Sequence, residues 1–132
     1  MNLPGGELEY AVLTALWDRG EATARDVHEV VGEPRGLVYT TTAKVLDRLR
    51  EKGLIRRREL AKTFVYRAVV ARKVVLRARA REAVKSVLGD EPRPAVAALV
   101  DAVEAVDPEL LDELERLVAQ RRANRGGPRR GS

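Results

Sequence analysis

Residues 37–55 constrain the fold of this chain more than any other stretch. Their apolar positions recur every three or four residues, the spacing that turns one face of an α-helix toward a core. The glycine at position 53 is expected to end that helix. We predict an inner face of Thr42, Val45, Leu46 and Leu49 and an outer face of Thr40, Ala43, Lys44 and Asp47. An ordinary surface helix with a merely solvated polar face also fits this stretch.

Two further helices are predicted before it. Residues 6–19 form the first, which ends at Gly20 and carries Trp17 as an anchor beside an inner face of Leu8, Val12, Ala15 and Leu16. Thr23 is a suitable N-cap for a short second helix over residues 24–31, with Val27 and Val31 turned inward. Residues 32–36 have the glycine and proline content of a turn. The single histidine, His28, has no partner at metal-ligand or catalytic spacing, so we expect it to be solvated or packed.

A β-hairpin is predicted after Gly53. Residues 54–59 and 63–68 alternate with period two, and residues 60–62 separate them without an Asn-Gly turn signal. Phe64 and Tyr66 are expected to share one face and pack on the helices, because a two-stranded hairpin is marginal alone. The order helix, helix, helix, basic hairpin predicts a winged helix-turn-helix in which residues 37–53 supply the recognition helix. Arg56, Arg57, Arg58 and Lys62 would then contact the DNA backbone.

The charge distribution divides the chain into three parts. Residues 1–89 carry 18 Lys and Arg against 11 Asp and Glu, residues 90–120 carry 2 against 9, and residues 121–132 carry 5 against none. This pattern favours a polyanion-binding module joined to a part with another role, although solvated faces alone would also produce it. We accordingly predict a DNA-binding domain over residues 1–70, a helical region over 71–120 and a basic, disordered tail over 121–132.

Composition excludes several classes of function. The chain has no cysteine, one histidine and no Gly-rich phosphate loop, so an enzyme is the least favoured class and no cofactor is expected. No apolar run approaches the ~20 residues that a bilayer span needs, and the N-terminus does not resemble a signal peptide. We therefore expect a cytoplasmic protein without membrane insertion.

The C-terminal helices are predicted to mediate dimerisation. A helix over residues 71–88 is followed by a break at 89–94, a second helix, and a third that Asp107 and Pro108 should open. Their apolar faces are too extensive for one small module to bury, which favours a homodimer over a monomeric helical subdomain. The candidate dimerisation residues are Leu76, Val84, Val96, Leu99, Val100, Val103, Leu110, Leu114 and Leu117.

Several motifs resemble the penicillinase repressor family (BlaI/MecI/CopY). They are residues 8–17 (LEYAVLTALW), 39–41 (YTT), 45–55 (VLDRLREKGLI) and 64–66 (FVY). The resemblance implies a dimeric winged-helix repressor that binds operators with TACA/TGTA half-sites in double-stranded DNA. Thr40 and Thr41 match the family's motif and are carried over as DNA contacts. Together with the helix face and the wing, the candidate DNA-binding residues are Tyr39, Thr40, Thr41, Ala43, Lys44, Arg48, Arg56, Arg57, Arg58 and Lys62.

The chain departs from the family pattern in its recognition helix and in the features through which relatives sense an inducing signal. Thr42 replaces an apolar residue on the inner face, where we expect its hydroxyl to bond back to a carbonyl of the preceding turn. Lys44 stands where relatives often have threonine, so the base read there is left open. The absence of cysteine excludes the copper-sensing cluster of one branch. In another branch a membrane sensor-protease cuts an Asn-Phe bond in the dimerisation region. The only phenylalanine here, Phe64, lies in the predicted wing, so cleavage at that sequence is unsupported. A membrane sensor-protease stays open as a partner, since it could cut another bond.

A second function stays open alongside repression. A winged helix can serve as a scaffold for protein interaction, and Arg56, Arg57 and Arg58 would then bind an acidic partner protein instead of DNA.

Overall fold

A computed structural model describes residues 3–126 of the chain and divides it into two compact units, the first ending at Glu82 and the second beginning at Ala83. The elements in order are α1 (Glu7–Arg19), β1 (Ala22–Thr23), α2 (Ala24–Val27), α3 (Tyr39–Glu51), β2 (Ile55–Leu60), β3 (Thr63–Ala68), α4 (Arg72–Leu88), α5 (Pro92–Val106) and α6 (Leu110–Arg125). The predicted domain boundary after residue 70 falls before α4 and stays a prediction. No helix in the part of the chain that the structure describes is long and apolar enough to span a membrane.

Helix α1 forms one wall of the core in the first unit. Its buried residues are Glu9, Val12, Leu13, Ala15 and Leu16, and Leu8 packs at the edge of the same cluster. The helix ends as predicted at Gly20, whose positive φ of 82° suits a glycine and whose N–H donates to the Leu16 carbonyl. The indole Nε1 of Trp17 donates to the Val70 carbonyl at 2.9 Å, which confirms an anchoring role for this residue.

Helix α2 begins at the predicted cap and is shorter than predicted. Thr23 and Asp26 form a capping box, in which the Asp26 N–H donates to Thr23 Oγ1 and the Thr23 N–H donates to Asp26 Oδ2, both at 3.1 Å. The α-helical pattern ends at Val27 and continues as a π-helical turn, His28–Gly32, and a 3₁₀ turn, Glu33–Arg35. Val27 and Val31 are buried as predicted.

Helix α3 confirms the predicted inner face, since Thr42, Val45, Leu46 and Leu49 are all buried. Gly53 adopts a φ of 78° and ends the helix in a Schellman arrangement. Its N–H donates to the Arg50 carbonyl at 2.9 Å, and the Leu54 N–H donates to the Leu49 carbonyl at 3.0 Å. Leu54 itself is buried, so the chain enters β2 with a side chain already in the core.

The strands form a three-stranded antiparallel sheet in the order β1-β3-β2. The hairpin of β2 and β3 confirms the predicted wing, with Arg57 opposite Tyr66 and Leu60 opposite Thr63. Its loop is only Ala61-Lys62, and both residues have positive φ, 51° and 68°, as a type I′ turn requires. The expectation that Phe64 packs on the helices was wrong, because Phe64 is 40% exposed while Tyr66 is buried.

The second unit has a different character, because no residue of α5 or α6 is buried within it. The predicted break falls between α4 and α5, but α5 already begins at Pro92, a residue that the first helical turn favours. Helix α6 begins at Leu110, two residues later than predicted, although Asp107 still accepts the Glu109 N–H through Oδ1 at 3.0 Å.

The predicted disorder from residue 121 onward was wrong for residues 121–125. Helix α6 continues through Arg125, and its last turn carries Arg122 and Arg125. Arginine and alanine are good helix formers, and positive charge is favourable at a helix C-terminus. The rest of the predicted tail, residues 127–132, lies outside the described residues.

Candidate nucleic-acid interface

The first two turns of α3 carry five of the side chains that were predicted to contact DNA. Tyr39 is 43% exposed, Thr40 and Lys44 are exposed, and Thr41 and Ala43 are half-buried. Val38 precedes the helix in an extended conformation, no side chain caps the N-terminus, and the first turn carries no acidic residue. The free N–H groups and the positive end of the helix dipole therefore favour an anion near short hydroxyls and one lysine.

Two residues of the preceding helical segment contact Tyr39. The Arg25 guanidinium lies 5.8 Å from the centre of the Tyr39 ring, and the His28 ring meets it edge to face at 5.6 Å, with an interplanar angle of 80°. Neither Arg25 nor His28 was a candidate in the sequence. Arg25 and His28 are one helical turn apart but lie 14 and 11 positions before Tyr39, so no local pattern in the sequence identifies this packing.

Thr42 has a different partner from the one expected. The His28 Nδ1 and the Thr42 Oγ1 share a buried hydrogen bond of 2.8 Å, and Thr42 is 1% exposed. The expected bond from the Thr42 hydroxyl to a carbonyl of the preceding turn was therefore wrong. A partner 14 residues away satisfies the hydroxyl once the π-helical turn brings the imidazole over α3. His28 is packed, in agreement with one of the two roles expected for it.

A buried carboxylate holds the C-terminal half of α3 against α1. The side chain of Glu9 is 10% exposed, and its Oε1 accepts from Lys52 Nζ at 2.7 Å and from the Gly5 N–H at 2.7 Å. Its Oε2 accepts from Arg48 Nε at 3.2 Å. Burial is the largest single influence and raises the pKa of Glu9, but the hydrogen bonds from Lys52, Gly5 and Arg48, with the Lys52 charge, together lower the pKa below its ordinary value.

This ion pair engages Arg48, one of the candidate DNA contacts. Arg48 was predicted as a DNA contact, and the structure holds its Nε on Glu9 while 52% of the side chain is exposed. Half of its side chain is in solvent, and the candidate contact stays a prediction. Lys52, which also donates to the Leu3 carbonyl at 3.0 Å, was missed because nothing in the local pattern distinguishes it from a solvated lysine.

The wing carries its basic residues in three different settings. The Arg57 guanidinium stacks over the Phe64 ring at 3.8 Å, and its Nη1 lies 3.5 Å from the Tyr66 hydroxyl. Arg58 forms a two-pronged pair with Glu21 at 3.0 and 2.9 Å, and the hydrogen bond from Arg58 lowers the pKa of Glu21. Arg56 and Lys62 are exposed and make no ion pair within residues 3–126. Of the four, Arg56 and Lys62 are the most readily available to a phosphate.

The candidate dimerisation residues are exposed or half-buried on the C-terminal helices. In α5 and α6, Val96, Val100, Leu110 and Leu117 are between 36% and 49% exposed, whereas Leu99, Val103 and Leu114 are half-buried. Along α4, Leu76 is 44% exposed and Val84 is half-buried. A groove between α5 and α6 is lined by Val100, Leu111, Leu114, Glu115, Val118, Ala119 and Arg122. These exposures leave the predicted interface available, and the role of each residue stays a prediction.

Three helices on a shared core, followed by a basic two-stranded wing, define a winged helix-turn-helix protein of the DNA-binding class. The family model described as penicillinase repressor matches residues 5–120. The chain belongs to this family, whose members are transcriptional regulators and not enzymes.

Curated relatives support the assignment over nearly the whole chain. The transcriptional regulator BlaI of Mycobacterium tuberculosis, from strains CDC 1551 / Oshkosh and H37Rv alike, is 35% identical over 122 residues. The match covers 92% of this chain and 87% of the relative.

Solved structures give more distant matches. Bordetella bronchiseptica BpsR is 19% identical with a TM-score of 0.49, covering 79% of this chain and 76% of that one. Escherichia coli MarR is 15% identical with a TM-score of 0.45, covering 74% and 72%. Likenesses at this level do not bear on function.

Proposed function

We propose that this protein represses transcription by binding, as a homodimer, to a pseudo-palindromic operator in double-stranded DNA. The start of α3 carries the proposal: Thr40 and Lys44 are exposed and Thr41 is half-buried in its first two turns, at an N-terminus with no side-chain cap and no acidic residue in the first turn. Threonine hydroxyls and lysine are suited to base edges and phosphates in a major groove. Repression follows if the bound dimer occludes a promoter, and the family model that matches the chain is described as a penicillinase repressor.

The wing supports the proposal through charge. Arg56 and Lys62 are exposed on a hairpin adjoining the end of α3, where they can contact the sugar-phosphate backbone. Such contacts add affinity without sequence information and make binding depend on salt, with a slope of about 0.9 for each phosphate neutralised.

The C-terminal helices support the dimer. Helices α5 and α6 bury none of their residues, yet they carry many exposed valines and leucines. Soluble proteins bury apolar surfaces of this kind, and a second copy of the chain, related by a two-fold axis, would bury this one without any other protein. The same symmetry would place two copies of α3 on successive half-sites, about 34 Å apart on one side of the DNA.

Fluorescence anisotropy with two labelled duplexes tests the function. One carries a TACA/TGTA palindrome, chosen from the family resemblance, and the other a scrambled sequence of the same composition. We expect the palindrome to bind at least ~1,000-fold more tightly, a typical specific-to-nonspecific ratio. We also expect the logarithm of the association constant to fall with the logarithm of the salt concentration with a slope of about −4 or steeper. Equal, salt-insensitive affinity for both duplexes would contradict repression through DNA.

A pull-down with and without nuclease distinguishes DNA binding from the alternative, a scaffold for protein interaction. A scaffold that binds an acidic partner through the wing retains that partner after nuclease treatment, whereas a DNA-bound repressor does not retain DNA-bridged proteins. Arg58 pairs with Glu21 and Arg57 stacks on Phe64, which leaves Arg56 as the unengaged arginine of the three for either function. DNA binding has the further support of the hydroxyls and the lysine at the start of α3, which the alternative does not use.

A further inference from the structure

The only histidine of the chain lies buried beneath the start of α3. His28 is 8% exposed and belongs to the π-helical turn that follows α2. Its Nδ1 lies 2.8 Å from Thr42 Oγ1, and its ring meets the Tyr39 ring at 5.6 Å. One imidazole therefore contacts two residues of α3 that are three positions apart and lie on the same side of the helix.

These two contacts bracket the residues proposed to read DNA. Tyr39 and Thr42 stand on either side of Thr40 and Thr41, so His28 touches both ends of the segment that presents the hydroxyls. Thr40 is exposed, whereas Thr42 is buried. A change in how α3 is rotated against His28 would therefore move Thr40 and Thr41 relative to any bound DNA.

A buried polar pair fixes that rotation more sharply than apolar packing can. A hydrogen bond needs a donor–acceptor distance of about 2.7–3.2 Å and a favourable angle, whereas apolar contacts tolerate sliding. Leaving either partner of a buried pair unsatisfied is costly, so rotations that break the bond are disfavoured. A side-chain tip about 6 Å from the helix axis moves by about 2 Å when the helix rotates by ~20°, which is enough to lose a hydrogen bond to a base edge.

The main chain packs closely against the His28–Thr42 pair at Gly32. An added Cβ at Gly32 would overlap His28 Nδ1 and Thr42 Oγ1, so glycine permits the close approach of the π-helical turn to α3. On the outer side, the Arg25 guanidinium lies 5.8 Å from the Tyr39 ring, which His28 contacts edge to face. The imidazole is thus held by its own turn and reaches α3 from a defined direction.

We propose that His28 is a positioning residue for DNA recognition: through Thr42 and Tyr39 it sets the orientation of the first turn of α3, and thereby the discrimination between DNA sequences. This proposal rests on the proposed DNA-binding function. His28 does not itself touch DNA, because it is buried beneath the helix that does. Its removal should therefore change discrimination and leave the nonspecific contacts of the wing in place.

The test uses the full-length protein with the substitutions H28F and T42V together. This double variant keeps a ring against Tyr39 and replaces both polar partners, so neither is left unsatisfied and urea unfolding should stay close to wild type. We expect the ratio of affinities for the TACA/TGTA palindrome and the scrambled duplex to fall at least ~10-fold, the loss of about one good base contact. Affinity for the scrambled duplex should stay within about twofold, since its phosphate contacts are unchanged.

A conservative variant provides the rescue. H28N places an amide near the position of Nδ1 and can still bond to Thr42, so its discrimination should lie between those of wild type and the single variant H28F. Wild-type discrimination in the stably folded double variant would overturn the proposal, because the pair would then have no part in recognition.

Amide hydrogen exchange in the free protein separates this proposal from the function on which it rests. In the double variant the amides of Thr41 to Lys44 should exchange several-fold faster than in wild type, while those of Leu46 to Leu49 should not change. Unchanged exchange at Thr41 to Lys44 contradicts positioning by His28, whatever the DNA titrations give. Failure of the wild-type protein to discriminate between the duplexes contradicts the proposed function, and a faster exchange would then still support the control of this turn by His28.

Discussion

Replacing Glu9 by glutamine should destabilise the first unit by removing one charge from a nearly buried site. The Glu9 side chain is 10% exposed and accepts hydrogen bonds from Lys52 Nζ, Arg48 Nε and the Gly5 N–H. Glutamine keeps one acceptor oxygen, which can still serve one of these donors. Its amide nitrogen would face a cation in place of the second oxygen, so at least one charged partner loses its acceptor.

The expected cost follows from these contacts. Hydrogen bonds to charged groups contribute about 1.5–3 kcal/mol and neutral ones about 1 kcal/mol, so each weakened contact costs about 1 kcal/mol. The contact with Arg48 counts for less because half of that side chain is in solvent. We therefore expect a loss of about 2 kcal/mol in the free energy of unfolding. Glu7→Gln is the matched control: Glu7 lies on the same helix as Glu9 and pairs with Arg35, but its side chain is 73% exposed, so the substitution should change stability little.

The pH dependence gives the prediction a second, independent readout. Because the pKa of Glu9 is lower in the folded state than in the unfolded chain, its contribution is complete above the ordinary carboxyl pKa. The contribution is lost as the pH falls through the lowered pKa of the folded state. Urea unfolding of wild type and of Glu9→Gln should differ at neutral pH and converge in acid. The same difference at both pH values, or none at neutral pH, would refute the reasoning.

Four other substitutions test other parts of the structure. Thr41→Ala should lose about 1–3 kcal/mol of discrimination between palindrome and scrambled duplex, whereas Arg56→Ala should weaken both alike and lower the salt slope by about one, as anisotropy titrations can show. Ala61→Asn should raise the free energy of unfolding by about 1 kcal/mol, because asparagine tolerates the positive φ of the wing turn; a lower urea midpoint would count against that turn. Val96→Glu puts a charge on a residue that is 49% exposed in the free chain, so it should weaken self-association at least about tenfold in analytical ultracentrifugation, and an unchanged dimer would place the interface elsewhere.

Local patterns were sufficient for the elements that carry the wing and the recognition helix. The inner face of α3 was predictable because Thr42, Val45, Leu46 and Leu49 follow the helical period without interruption. The hairpin was predictable from alternation, and the cap of α2 from Thr23. In these cases the information lies within a few neighbouring residues.

The features that were missed depend on contacts between distant parts of the chain. Strand β1 has only two residues, Ala22 and Thr23, and exists because β3 offers an edge for pairing. The bond from Thr42 to His28 and the ion pairs of Glu9 with Lys52 and Arg48 span 14 to 43 positions. No period in the sequence identifies such partners, which is why Thr42 was assigned a carbonyl nearby. Phe64 was expected to be buried from its alternation alone, but Arg57 covers its ring at the surface instead.

Methylation interference tests the central claim, that α3 reads its operator in the major groove, most directly. Dimethyl sulphate places a methyl group on guanine N7, an acceptor that only the major groove exposes. Each half of a TACA/TGTA palindrome contains one such guanine. We predict that methylation of either guanine excludes DNA from the bound fraction, with the two sites symmetric about the centre. Bound DNA that retains methylated guanine at both positions would contradict the account.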